Sequence, residues 1–473
     1  MITIHLSLIS HTNVGKTTLA RTLLRQDVGQ VLDQAHVTEE NEAFVLLETE
    51  AQRLELWDTP GFGDSARLLR RLKVEKNPVG WFLHQVWDRL ADRPLWSSQQ
   101  AVHNIQNQTD AVLYLVNASE SPEDAGYARL ELELLEWIGK PVLILLNQTG
   151  GVAPGSRQAE EIEQAWSEHG APWSVVKGVL SLDAFTRCWA QEGYLLRRLA
   201  TVLEGAKSEA MEHLANAWRE RNLEVFRLAT ERMATYLARA ASDHEALSGS
   251  RASRSEKKEA MTSLGERLET ETQRLTDALI ADHGLAGRSS GALEKRLEHF
   301  LVQGTTDLTA EKGAILGGAV SGALGGLAAD MLAGGLTFGG GLVAGAILGA
   351  LGGAGLSRAH ELIRLGGEPV VSWSPEFLDE LTRQTMLRYL AVAHFGRGRG
   401  NFEDQEHPEH WQEAVARTFP EDAELRRRWK ALGSAGPAPD PAETEELGQW
   451  IQQRLIQLLA EAYPEAEIKT SFS

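Results

Sequence analysis

The sequence predicts an α/β domain, a mostly parallel sheet with helices on both faces, followed by a mainly α-helical region. Three observations carry this reading. Across residues 1–200, short apolar runs (Ile2–Ile9, Phe44–Leu47, Leu54–Trp57, Ala111–Asn117, Val142–Asn147) alternate with amphipathic stretches such as Thr17–Arg25 and Ala125–Gly139. A strand followed by a helix favours parallel pairing, because the crossover helix returns the chain to the same end of the sheet. From about 202 to 310 the chain becomes charged and rich in Ala, Leu, Glu and Arg, with almost no strand signal. Residues 358–473 return to mixed helical sequence.

Composition sets the outer bounds. The 473 residues, at ~150 per domain, suggest about three units. An apolar fraction of 42% and a charged fraction of 24% are those of a globular chain and exclude a disordered, collagenous or polytopic membrane protein as the whole answer. Lys plus Arg number 47 against 66 Asp plus Glu, a formal charge of −19 that repels phosphate backbones and makes nucleic acid an unexpected partner. The single Cys188 forms no internal disulfide, as in a reducing cytosol, and without an evident base nearby it reads as a core residue. The first residues, Met1–Ile9, lack a basic region and a cleavage site and read as a strand, so the expected location is cytoplasmic.

Within the helical region, Leu264, Leu268, Leu275 and Leu279 share one helical face, and Met211, Leu214 and Trp218 another. Arg221 and Arg232 fall on expected core positions and break the heptads, which favours a packed bundle over residues 202–312 rather than a long coiled coil. The turn between its helices is expected at 248–255, a Pro-rich linker at 436–441, and a last amphipathic helix from about Glu443 to Tyr463.

The chemistry starts after the first strand, at Ser10-His-Thr-Asn-Val-Gly15-Lys16-Thr17-Thr18-Leu19. This matches the P-loop pattern Gly-x4-Gly-Lys-Ser/Thr, except that Ser10 takes the first glycine position. Backbone N–H groups around Asn13, Val14, Gly15, Lys16 and Thr17, with the start of the following helix at Thr18, point at an anion. Lys16 neutralises phosphate charge, and the Thr17 hydroxyl is a ligand for Mg²⁺. A second strand runs into Asp58-Thr-Pro-Gly61, the arrangement of a nucleotide-sensing switch: Asp58 holds Mg²⁺ through water and the Gly61 N–H meets the third phosphate. Thr38, in the polar segment between the motifs, is where a switch threonine closes over the metal. The predicted catalytic set is Lys16, Thr38 and Gly61, and the predicted metal set is Thr17, Thr38 and Asp58.

Residues 13–19, Asn-Val-Gly-Lys-Thr-Thr-Leu, together with 57–61, Trp-Asp-Thr-Pro-Gly, resemble the Era/TrmE-like branch of translation-factor-related bacterial GTPases over roughly residues 1–200. The whole resembles bacterial proteins that join an Era-like domain to a further helical domain. The resemblance implies GTP as ligand, slow Mg²⁺-dependent hydrolysis, and a switch that orders around the γ-phosphate. It also implies that the hydrophobic Phe62, where a water-positioning Gln stands in Ras-like proteins, leaves catalysis dependent on help from a partner or a monovalent cation. Asn13 matches a position that ligates K⁺ in some members; a loop-bracing role for it is equally open.

The base end departs from that pattern. Where the family ends a strand in Asn-Lys-x-Asp, this chain has Asn147-Gln148-Thr149-Gly150. Asn147 fits and Gln148 partly covers a base, but Gly150 has no carboxylate for the guanine N–H donors. Two guanine donors left without that carboxylate weaken discrimination by at least about 1–3 kcal/mol. Triphosphate binding is therefore better supported than guanine specificity, and a non-hydrolysing nucleotide scaffold, favoured by Ser10, Phe62 and Gly150, is the alternative to a GTPase. The last base-side loop is expected at Ser181-Leu-Asp183, after a strand at Ser174–Leu180. The segment 62–110 is an enlarged switch II region carrying Trp81, Trp87 and Trp96, read as an extra packed helix or as a nucleotide-gated surface for a protein partner.

Residues 313–357 form a Gly/Ala/Leu-rich block with Asp330 as its only charge. Gly318, Gly322 and Gly326, and again Gly341, Gly345, Gly349 and Gly353, recur every fourth residue, so a glycine-zipper hairpin is expected. It either contacts a membrane, attaching the chain at the inner face of the plasma membrane, or is buried under flanking helices. The loop Gly396–Gly400 reads as a flexible linker, and His407 with His410 as surface residues.

Overall fold

The computed structural model describes residues 1–11, 14–24, 42–58, 65, 69, 102, 105–149, 152–184, 188–249, 252–285, 360–363, 369–395, 409–420, 423–434, 438–466 and 468. The chain divides into two compact units, one of Met1–Leu223, His394–Glu406 and Ala460–Ser473, the other of Glu224–Ala393 and His407–Leu459.

The first unit runs β1 (Ile2–Ser10), α1 (Lys16–Leu24), β2 (Glu42–Glu48), β3 (Gln52–Asp58), β4 (Ala111–Asn117), α2 (Gly126–Ile138), β5 (Val142–Asn147), α3 (Arg157–Gly170), β6 (Val176–Ser181) and α4 (Trp189–Val202). Its six-stranded sheet has the order β2-β3-β1-β4-β5-β6, parallel throughout except for the β2–β3 pair. The apolar runs are continuous because both faces are covered, and the two-residue strand period sorts them. In β4, Ala111, Leu113 and Leu115 enter one core, while Val112, Tyr114 and Val116 enter the other. The first core also takes Leu19 of α1, Leu195 and Leu199 of α4, and Met211, Leu214 and Trp218 beyond it. The second takes Leu132 and Leu135 of α2 and Trp166 of α3.

The second unit holds the later part of α5 (Ala206–Ser242), β7 (His244–Ala246), α6 (Arg254–Asp282), β8 (His360–Ile363), β9 (Pro369–Ser372), α7 (Pro375–Ala393), α8 (Glu409–Thr418), α9 (Ala423–Ser434) and most of α10 (Pro441–Ala462). The leucine face of α6 is buried as expected, at Leu264, Leu268, Leu275 and Leu279. Arg232, at an expected core position, is accommodated by an ion pair of 2.6 Å with Asp282. Asp379 on α7 is buried and accepts hydrogen bonds from Trp429 Nε1 at 2.9 Å and Arg426 Nε at 3.2 Å. Three strands that the sequence did not reveal, in the order β7-β9-β8, form a small antiparallel sheet.

Several expectations fall outside the described residues: Asn13, Thr38, Gly61, Phe62, Gly150, the side chain of Asp58, most of 62–110, all of 313–357, Gly396–Gly400 and His407. Among the described residues no helix is long and apolar enough to cross a membrane.

Candidate nucleotide site

The site lies where the parallel strands end. β1 pairs with β3 on one side and β4 on the other, in register Leu8↔Asp58 and Ser10↔Leu115. The carboxyl end of β1, the backbone of Asp58 and the ends of β4 and β5 therefore share one edge. In open α/β sheets, ligands bind in the crevice outside that edge. From Ser10 the chain turns into α1, whose first residue is Lys16. The first helical bond runs from Leu19 N–H to Gly15 O at 2.9 Å, so the amides just before it stand at the N-terminus of α1, the end of a helix that favours an anion.

Gly15 is required on two grounds. Its φ of +94° lies in the region that L side chains rarely adopt, and a Cβ there would meet Asn147 Nδ2 at 2.7 Å. That contact exists because Asn147, fully buried at the end of β5, reaches back to the loop and donates from Nδ2 to Val14 O at 2.6 Å. Its Oδ1 accepts from Ala184 N–H at 2.8 Å. Ala184 O in turn accepts from Thr22 Oγ1 of α1 at 3.0 Å. The buried Asn147 amide thus ties the phosphate loop to the segment at Ala184, and Thr22 ties that segment to α1.

Of the predicted site residues, the structure brings together Val14, Gly15, Lys16, Thr17, Thr18, Asn147 and Gln148. Lys16 and Thr18 are buried in the first turn of α1, and Gln148 takes a positive φ of 57° immediately after the brace. Thr17, of the predicted metal set, lies on that same turn, and a threonine hydroxyl is the kind of hard oxygen donor that Mg²⁺ takes. Among the described residues no cluster of three or more His, Cys, Asp or Glu side chains is arranged to hold a metal by itself.

Sequence reasoning missed two features. The first is a hydrogen-bonded trio of His11, Glu131 and Tyr114. Glu131 of α2 is fully buried; Tyr114 donates to its Oε2 at 2.8 Å, and its Oε1 lies 2.9 Å from His11 Nδ1. The His11 ring stacks on Tyr127 with centroids 4.3 Å apart. The hydrogen bond to Glu131 raises the His11 pKa above its ordinary value, while burial raises that of Glu131 against the opposing pull of His11. The second is Asp183, whose Oδ2 accepts from both Thr149 N–H at 2.9 Å and Thr149 Oγ1 at 3.1 Å. The only sequence signal for it was the expected base-side loop at 181–183.

Comparison with known proteins agrees with this architecture. Residues 5–148 match the family model described as 50S ribosome-binding GTPase, and the N-terminal domain has the P-loop GTPase fold. Similar solved structures include Aquifex aeolicus Era bound to GDP and aluminium fluoride, at 18% identity, covering 44% of this chain and 58% of that one, with a TM-score of 0.32. A probable GTP-binding protein EngB is 14% identical over 38% of this chain and 88% of that one, with a TM-score of 0.25. The S. thermophilus NFeoB structure bound to GDP and aluminium fluoride is 14% identical over 59% and 90%, with a TM-score of 0.26. The chain thus spans less than two thirds of the length of Era. Residues 175–460, more than half of the chain, match the model described as Domain of unknown function (DUF3482), and the chain belongs to that family.

Proposed function

We propose that the α/β unit binds GTP with Mg²⁺, hydrolyses it slowly, and acts as a switch on the helical region. The observation that supports this most is the braced phosphate loop, in which the Asn147 amide at the carboxyl edge of the sheet donates to Val14 O and leaves room only for a glycine at position 15, directly before Lys16. Lys16 is the charge clamp on the transferred phosphoryl group, and Asn13, Val14, Thr17 and Thr18 complete the cradle. Thr17, Thr38 and Asp58 would hold Mg²⁺, which supplies charge neutralisation on the phosphates when bound. Thr38 and Gly61 are the residues whose positions report the third phosphate, and Asn13 is the candidate K⁺ ligand. Steady-state phosphate release by the full chain tests the reading. Wild type is expected to turn over several times and Lys16→Ala to remain at background; equal rates would reject hydrolysis.

A second reading, a non-hydrolysing nucleotide scaffold of relaxed base specificity, is favoured by Phe62 and Gly150. Binding without multiple turnover decides for it. The switch would act on a protein partner, or on a membrane through 313–357 at the inner face of the plasma membrane of a cytoplasmic protein; nucleic acid is disfavoured by the charge of −19. Liposome flotation with and without 313–357 tests the membrane arm, and no difference removes it.

A further inference from the structure

We propose that His11 is a positioning residue of the nucleotide site: with Glu131 it anchors the phosphate loop to α2 and so keeps the loop ordered for the phosphates. This rests on reading the loop as a nucleotide site. The loop leaves β1 at Ser10 and enters α1 at Lys16, and the Asn147 amide holds it near its far end, at Val14 O. At the near end the P-loop pattern has a glycine where this chain has Ser10. The serine keeps an ordinary backbone, since Gln148 is the one non-glycine residue with a positive φ among the described residues. Its hydroxyl donates to the carbonyl of the next residue, His11, at 2.7 Å. The side chain that ties this end of the loop to another element is that of His11.

Two residues of α2 grip the imidazole. Tyr127 and Glu131 stand four apart, on one face of the helix. The Tyr127 ring stacks on that of His11 with centroids 4.3 Å apart and planes 13° from parallel. His11 Nδ1 lies 2.9 Å from Glu131 Oε1, and against an ionised carboxylate that nitrogen carries the proton. The carboxylate is itself held: Tyr114 of β4 donates to its other oxygen at 2.8 Å, and Leu132 and Leu135, beside it on α2, lie in the second core. A fully buried carboxylate is a costly way to fill such a position, where a leucine would pack without desolvating a charge. What the carboxylate adds is a directional hold on one loop residue, which an apolar contact does not give. The effect on a ligand is indirect. A loop already ordered loses less freedom when the phosphates arrive, so the same contacts bind more tightly.

The test is equilibrium binding of GTP and GDP, each with Mg²⁺, to the full chain, at a temperature where calorimetry shows each variant folded. His11→Ala is expected to weaken both nucleotides by at least about tenfold, since both use the ordered loop. His11→Asn, whose amide N–H₂ stands where Nδ1–H stood, is expected to restore binding to within about threefold of wild type. Glu131→Ala is expected to lose as much as His11→Ala, and the double variant no more than either, because the two residues act as one anchor. A residue that only stabilises the fold leaves the affinity of the folded chain unchanged, so His11→Ala binding within about twofold of wild type overturns the proposal. Losses that simply multiply in the double variant overturn it as well. Should Glu131→Ala not fold, the pair at position 11 decides: a loss restored by asparagine supports the anchor, and an asparagine as weak as alanine overturns it. Should His11→Ala not fold, His11→Leu, which keeps bulk against Tyr127 without a donor, takes its place in that comparison. A wild-type chain that binds neither nucleotide refutes the nucleotide reading itself, which is a different failure.

Discussion

Replacing Gly15 with alanine measures how tightly the phosphate loop and the Asn147 brace depend on each other. The backbone at φ +94° charges any L side chain about 1–2 kcal/mol for its left-handed conformation. The new Cβ would stand 2.7 Å from Asn147 Nδ2, so the amide must withdraw from Val14 O, now at 2.6 Å. Disrupting a fully buried hydrogen bond costs about 1–3 kcal/mol more. Gly15→Ala is therefore expected to destabilise the first unit by about 2–5 kcal/mol. Asn147→Ala removes the same bond along with that from Ala184 N–H, and is expected to cost a comparable amount. If the alanine acts by striking Asn147, the double variant relieves the clash and loses about 1–2 kcal/mol less than the sum of the two. Calorimetry of the full chain reads these values from the transition that shifts on adding Mg²⁺ and GTP, since ligand raises only the unit that binds it. Strict additivity would refute the argument that the two residues meet.

Three further outcomes are expected. The Glu163 pKa is raised from 4.5 to about 7 by burial and by the nearby carboxylates of Glu465 and Glu160, in a cavity of about 70 Å³ that Tyr194 and residues 462–466 also line, with Arg197 and Arg198 acting on Tyr194 beside it. The folded state therefore holds a proton that the unfolded chain has released between pH 4.5 and about 7, so stability falls as pH rises through that window. Glu163→Gln should raise the melting temperature at pH 8 and leave it unchanged at pH 4, and an equal shift at both values would reject the assignment. His11→Ala takes a charge-assisted donor from the buried Glu131 and should cost the first unit about 2–3 kcal/mol by urea denaturation, whereas a loss under about 0.5 kcal/mol would show that the trio carries no weight. In the second unit, Asp379→Ala strands the buried Trp429 N–H and should lower the calorimetric transition that does not respond to nucleotide by about 2–3 kcal/mol, with Asp379→Asn, which keeps an acceptor, costing less.

The strands of the first unit were legible because a parallel sheet buried on both faces leaves short, uninterrupted apolar runs. Ala111–Asn117 and Val142–Asn147 were read to the residue, and Ser174–Leu180 lies within two residues of β6. The phosphate loop was legible because its glycine, lysine and threonine act through local backbone geometry, which a seven-residue window contains. The His11–Glu131 contact was not, since it joins residues 120 apart and neither shows a local pattern. Asp183 acts across 34 residues on a backbone N–H, and no side-chain spacing records such an acceptor. The strands β7, β8 and β9 are three or four residues long, too short for a two-residue alternation to emerge from helical surroundings.

The end of the chain shows the same limit in a form that bears on the nucleotide site. Arg197 of α4 donates from Nη2 to Ala466 O at 2.6 Å across 269 residues, and Tyr463 OH lies 2.8 Å from His394 Nε2, all within the first unit. The loop between the base end and α3 is shaped by this return. Gly155 takes a φ of +70°, and a Cβ there would come within 3.1 Å of Glu461 O and 3.3 Å of Ala462 O, backbone carbonyls in the last turn of α10. Read locally, Pro154-Gly155 is an ordinary turn ahead of the Ser156 cap of α3. In the fold, the space at this glycine is bounded by residues some 300 positions later. Contacts this distant delay loop closure, since the entropy of ordering the intervening chain is lost before any contact compensates for it. The glycine-lysine-threonine loop is thus built from contiguous sequence, whereas the turn at Pro154-Gly155 packs against residues 461 and 462.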